Sequence, residues 1–119
     1  MLVGYVRVST DEQNLNLQKD ALLKFGVDER NIFSDKTSGS KDKRVGLDQA
    51  IEFLKDGDTL VVWKLDRLGR SLAHLIDVIT NLKNRNVSFV SITEGMDTTT
   101  ASGELFFHIF GAYIGATGQ

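Results

Sequence analysis

Apolar and polar positions alternate from the second residue onward. In "LVGYVRVS" Val3, Tyr5, Arg7 and Ser9 share one face of an extended chain, and Leu2, Gly4, Val6 and Val8 share the other. The pattern predicts a strand over 2–8, with the unusual residues gathered on one side. The period then changes. Leu15, Gln18, Ala21, Leu22 and Leu23 recur at helical spacing, which predicts a helix over about 12–25, stopped by Gly26. "NIFSD" reads as a short second strand, and the polar stretch 36–45, "KTSGSKDKRV", as a mobile loop with few apolar anchors. A short helix over 46–55 ends at "DGD". "TLVVWK" is a third strand whose near-continuous apolar run suits burial on both faces. A polar turn, a helix over about 71–84, a fourth strand "VSFVSIT", a loop "EGMDTTTASG" and a last helix over 102–115 complete the chain.

Strand–helix alternation predicts an α/β fold, a three-layer α/β/α sandwich around a mostly parallel sheet of four to five strands. In such sheets the working groups gather beyond the carboxyl ends of the strands. Three candidates fall there: Ser9 after the first strand, Asp35 after the second, and "LDRLGR" after the third. No internal repeat, low-complexity tract or linker divides the chain, so 119 residues read as one domain.

Composition narrows the classes. At 41% hydrophobic and 25% charged, the chain has the make-up of a soluble globular protein. It has no cysteine, which excludes disulfides and thiolate metal sites and suits a reducing cytosol. No signal peptide is recognisable, and no apolar run approaches the ~20 residues of a membrane span. The formal net charge of −2 is unlike a DNA-coating domain. Local charge is another matter. Lys36, Lys41, Lys43 and Arg44 against Asp42 give +3, and Lys64, Arg67 and Arg70 against Asp66 give +2.

Each candidate has a plain structural reading beside a chemical one. Ser9 or Thr10 suits a helix N-cap, and Thr10 with Gln13 resembles a capping box. Arg7 argues for more, because a charge on a central strand is costly to bury unless it is paired or used. "KLDRLGRS" suits a solvated, salt-bridged helix start, yet Gly69 weakens a plain helix by about 1 kcal/mol. Arg44 in a polar loop suits solubility alone. Together, Arg7, Arg44, Arg67 and Arg70 could converge on one phosphate, whose oxygens the planar guanidinium matches in pairs. Phosphoryl transfer depends chiefly on positioning and on stabilising charge on such oxygens. His74 and His108 stand alone and read as structural, and Trp63 as core. There is no HExxH, no Cys/His ligand spacing and no GxxxxGK[ST] loop, so neither a metal nor a nucleotide is indicated.

Taken together, "GYVRVSTDEQ", "DKTSG", "R-x-G-L" and "LVVWKLDRLGRS" resemble the resolvase/invertase family of serine site-specific recombinases, and the DNA invertases most of all. The similarity runs over roughly residues 1–112. It implies a resolvase-like fold and DNA cleavage and rejoining through a 5′-phosphoserine intermediate, with no metal, ATP or other cofactor. Ser9 would be the nucleophile. Arg7, Arg67 and Arg70 would hold the phosphate, joined by Arg44, and Asp66 would give a proton to the leaving oxygen. Tyr5, Gln13, Gln18, Asp35 and Lys64 would be supporting positions, with Asp35 orienting an arginine. The family implies DNA as partner, a homodimer that becomes a tetramer during strand exchange, a cytoplasmic setting and no membrane.

The family continues its last helix into a long charged segment followed by a helix-turn-helix domain. This chain stops at "GAYIGATGQ". The expectation is a catalytic domain over 1–119, ending within or just after the start of an interface helix. It would fold, bind DNA weakly and salt-dependently, and not recombine it unaided. The helix "GELFFHIFGAYIG" is apolar nearly all round, so one face should be core and the other should seek a partner subunit. Two other readings stay open: a receiver-like regulatory module with Asp35 or Asp66 as its acidic site, and a dimerisation module without catalysis.

Overall fold

The computed structural model describes residues 1–8, 12–36, 45–65 and 72–116. Within these, β1 (Leu2–Val8), α1 (Glu12–Phe25), β2 (Ile32–Lys36), α2 (Val45–Phe53), β3 (Thr59–Val62), α3 (Leu72–Asn84), β4 (Ser88–Ser91), β5 (Met96–Asp97) and α4 (Ala101–Ala116) follow in order, with a 3₁₀ turn at Glu29–Asn31 before β2. The strands form one sheet in the order β2-β1-β3-β4-β5. β2, β1, β3 and β4 pair in parallel, and β5 pairs antiparallel with β4.

The alternation read in β1 divides the core. Val3 and Tyr5 join Leu60, Val62 and Phe89 on one face of the sheet, under Leu47, Ala50 and Leu54 of the α2 region and Leu75, Ile79 and Leu82 of α3. Val6, Val61 and Val90 point to the other face and meet Leu22 of α1 and Val27. The three layers are therefore α2 and α3, the sheet, and α1. Helices cover both sides because a βαβ crossover leaves its helix on one face or the other.

The expected elements hold with shifted ends. β3 stops at Val62, and Trp63 and Lys64 lie beyond its end. Lys36 belongs to β2 and Val45 to α2, so both ends of the expected 36–45 loop are ordered elements. The rest of that loop lies outside the described residues. The loop expected at 94–103 contains β5 and the start of α4. Thr100 caps that start: the Gly103 N–H donates to its Oγ1 at 3.0 Å, while its hydroxyl donates to the Asp97 carbonyl at 2.8 Å.

Candidate functional site

Four parallel strands end on one edge of the sheet, and β1 lies between β2 and β3. The chain leaves that edge from Val8 toward Ser9, from Lys36 toward Arg44, and beyond Val62 toward Asp66. Connectivity alone therefore starts the three segments that carry the candidate residues side by side. Ser9, Arg44, Asp66, Arg67 and Arg70, and the side chain of Gln13, lie outside the described residues.

What is described is the set of strand ends from which those segments lead. Arg7 is half-buried with its Nε fully buried. It stands opposite Asp35 in the β1–β2 register. Register neighbours in a parallel pair point to the same face, so Tyr5, Arg7 and Asp35 line the α2 side together. The Tyr5 hydroxyl donates to Asp35 Oδ2 at 2.8 Å. The Gly46 N–H donates to Asp35 Oδ1 at 2.7 Å, and the Leu47 N–H to Oδ2 at 3.0 Å. A carboxylate at a helix N-terminus is well placed against both the open N–H groups and the helix dipole.

Asp35 thus has a structural role beside the one expected of it. Its described partners are a tyrosine hydroxyl and two peptide N–H groups, and through them it ties the start of α2 to β1. Gly46 is the second residue after Arg44, so that tie fixes the point at which the arginine's segment rejoins the fold. The "R-x-G-L" glycine has a steric reason as well. A Cβ on Gly46 would lie 2.2 Å from the Ser34 carbonyl oxygen.

Gln18 is fully buried beside Arg7. Its Oε1 accepts from the Arg7 N–H at 3.2 Å, and its Nε2 donates to the Arg7 carbonyl at 3.0 Å. The β1–β3 pairing ends at Tyr5–Val62. Two residues further on, β1 has no β3 partner, and the carboxamide takes that place. It satisfies two backbone groups, the N–H and the carbonyl of Arg7, that would otherwise be buried and open, and β1 stays extended to Val8. Lys64 is half-buried with its Nζ 4.7 Å from the centroid of the Trp63 ring, a cation–π contact at the exit of β3. Trp63, read as core, is only half-buried there.

One residue of this edge escaped the sequence reading. Glu94, after β4, accepts the Leu65 N–H at 3.3 Å on each carboxylate oxygen and the Ser91 hydroxyl on Oε1. Its only sequence signal is its place, just past the carboxyl end of a parallel strand.

The family model for the resolvase N-terminal domain matches residues 2–115, and the chain belongs to that family. It is 55% identical over 115 residues to the transposon Tn552 DNA-invertase BinR of Staphylococcus aureus, covering 95% of this chain and 59% of that protein. It is 52% identical over 112 residues to the serine recombinase gin of Escherichia phage Mu, covering 94% and 57%. The chain therefore spans under three-fifths of the length of these relatives. The N-terminal catalytic domain of TP901-1 integrase superposes with a TM-score of 0.80 at 28% identity, over 98% of this chain and 95% of that one. Among the described residues, no helix is long and apolar enough to cross a membrane.

Proposed function

We propose that this chain is the catalytic part of a site-specific DNA recombinase, with Ser9 as its nucleophile. The observation that carries the reading is the exit of β1. Arg7, aligned by the strand's alternation with Tyr5 and Asp35, sits two residues before Ser9 at the edge from which the Arg44 and Asp66–Arg70 segments also depart. The relatives named as a DNA-invertase and a serine recombinase support it.

In the proposed reaction the Ser9 hydroxyl loses its proton to solvent as its oxygen attacks a DNA phosphodiester. The new Oγ–P bond replaces the P–O3′ bond, and Asp66 gives a proton to the departing 3′ oxygen. Arg7, Arg67, Arg70 and Arg44 neutralise the charge on the non-bridging oxygens. The phosphoserine ester keeps the energy of the broken bond, so rejoining is the same reaction reversed and needs no ATP. Tyr5, Gln13, Gln18, Asp35 and Lys64 support this site. We assign the working unit to a pair of subunits, four during exchange, in the cytoplasm. Leu105 and Ile109, four apart on α4 and each 60% exposed, supply an apolar stripe for a second copy.

The test joins this chain to a DNA-reading module and offers it a nicked duplex bearing that module's site. Mass spectrometry should find the 5′ end of the DNA on Ser9, and nothing on the Ser9→Ala variant. A metal-dependent acyl phosphate on an aspartate would favour a receiver-like module instead. Asp35 suits that poorly, because both its oxygens already accept hydrogen bonds. Paired subunits without any adduct would favour a purely structural role.

A further inference from the structure

We propose that Glu94 is a positioning residue for the segment Asp66–Arg70, acting through the Leu65 peptide; the assignment rests on the function proposed above. The β3–β4 ladder does not stop where the strands do. The Ile92 N–H donates to the Val62 carbonyl at 3.0 Å, and the Thr93 N–H to the Trp63 carbonyl at 2.9 Å. The next peptide on the β3 side, Leu65, is held by a side chain. Glu94 receives its N–H on both carboxylate oxygens, at 3.3 Å each.

The carboxylate is itself aimed. Ser91, fully buried at the end of β4, donates its hydroxyl to Glu94 Oε1. A tight turn brings Glu94 over β3: the Gly95 N–H returns to the Ile92 carbonyl at 3.2 Å. Gly95 has φ +69°, a left-handed conformation that glycine adopts without strain. Ser91, Glu94 and the Leu65 N–H thus form a brace across the β3 exit, one residue before Asp66. A brace there sets the direction in which the chain enters the segment that bears the proposed proton donor and two phosphate-holding arginines. Small errors of position at a reacting centre are costly in rate.

The full chain, carried on a DNA-reading module, would be compared with its Glu94→Ala and Glu94→Gln forms on the nicked duplex. Glu94→Ala is expected to slow formation of the Ser9–DNA linkage about tenfold, the scale of one lost hydrogen bond, with DNA affinity within error. Glu94→Gln keeps an acceptor oxygen and is expected to recover most of the rate. Hydrogen exchange at the Leu65 amide should quicken in Glu94→Ala and not in Glu94→Gln. The assignment is overturned if Glu94→Ala links DNA at the wild-type rate, if Glu94→Gln is as slow as Glu94→Ala, or if Leu65 exchange is unchanged by the alanine. Should the parent chain itself form no linkage, the functional reading fails, while Leu65 exchange still decides whether the brace exists.

Discussion

At the scale of single residues, the candidate site rests on polar side chains that hold backbone. Gln18 and Asp35 each satisfy peptide groups in places where a strand or helix leaves them open. Leucine at position 18 would fill the same space and offer no hydrogen bond. The Arg7 N–H and carbonyl would be left buried, at about 1–3 kcal/mol for each group. Gln18→Leu is therefore expected to lower the urea midpoint clearly, and an unchanged midpoint would refute the ladder role. Asp35→Ala uncaps α2 and should cost about 1–2 kcal/mol in the same measurement. It should also slow Ser9 linkage, because Arg44 rejoins the fold at the helix start that Asp35 holds. Gly46→Ala is expected to be as damaging, about 1–3 kcal/mol, because its methyl group would meet the Ser34 carbonyl at 2.2 Å. A variant as stable as the parent would show that α2 can lift away from β2 freely.

At the scale of elements, the strands divide the work. β1 is an inner strand, carries Arg7 and ends one residue before the candidate nucleophile; β2 and β3 flank it and lead to the remaining arginines. The far edge of the sheet is held by a threonine: the Phe89 N–H donates to Thr98 Oγ1 at 2.8 Å, and the Thr98 N–H donates to the Phe89 carbonyl at 2.9 Å. The entry to β2 is set by the 3₁₀ turn, which Asp28 caps through the Arg30 N–H. The Arg30 side chain, hydrogen-bonded to Asp28, is the main reason the Asp28 carboxyl is lowered from its ordinary 3.8 to about 2; the backbone hydrogen bond adds to this. A carboxyl whose folded value is depressed stabilises the fold fully above its ordinary value. The contribution is lost as pH falls through about 2. An NMR titration of Asp28 should show its midpoint near 2, and a midpoint near 3.8 would remove the cap from the account.

At the scale of the whole molecule, the sequence made most of the architecture legible because periodicity reports burial. The switch from period two at Leu2–Val8 to helical spacing after Glu12 located β1 and α1, and the alternation assigned Val3 and Tyr5 to one core and Val6 to the other, as observed. β5 was hidden because its two residues carry no period of their own; they are a strand only by pairing with Val90 and Ser91. The physical roles of Gln18, Asp35 and Glu94 were hidden for a related reason. Each answers a peptide whose need depends on where another element ends, and local pattern does not encode that. The central claim concerns Arg7: the reacting phosphate sits beside its guanidinium, where β1 delivers Ser9. The most direct measurement is the rate of Ser9–DNA linkage by Arg7→Ala on two substrates. One has an ordinary phosphodiester at the scissile position, the other a methylphosphonate, which lacks the charged oxygen. The account predicts a loss of about 10²–10³-fold on the phosphodiester and a large recovery on the methylphosphonate. Linkage at the parent rate on the phosphodiester, or an equal loss on both substrates, would contradict it.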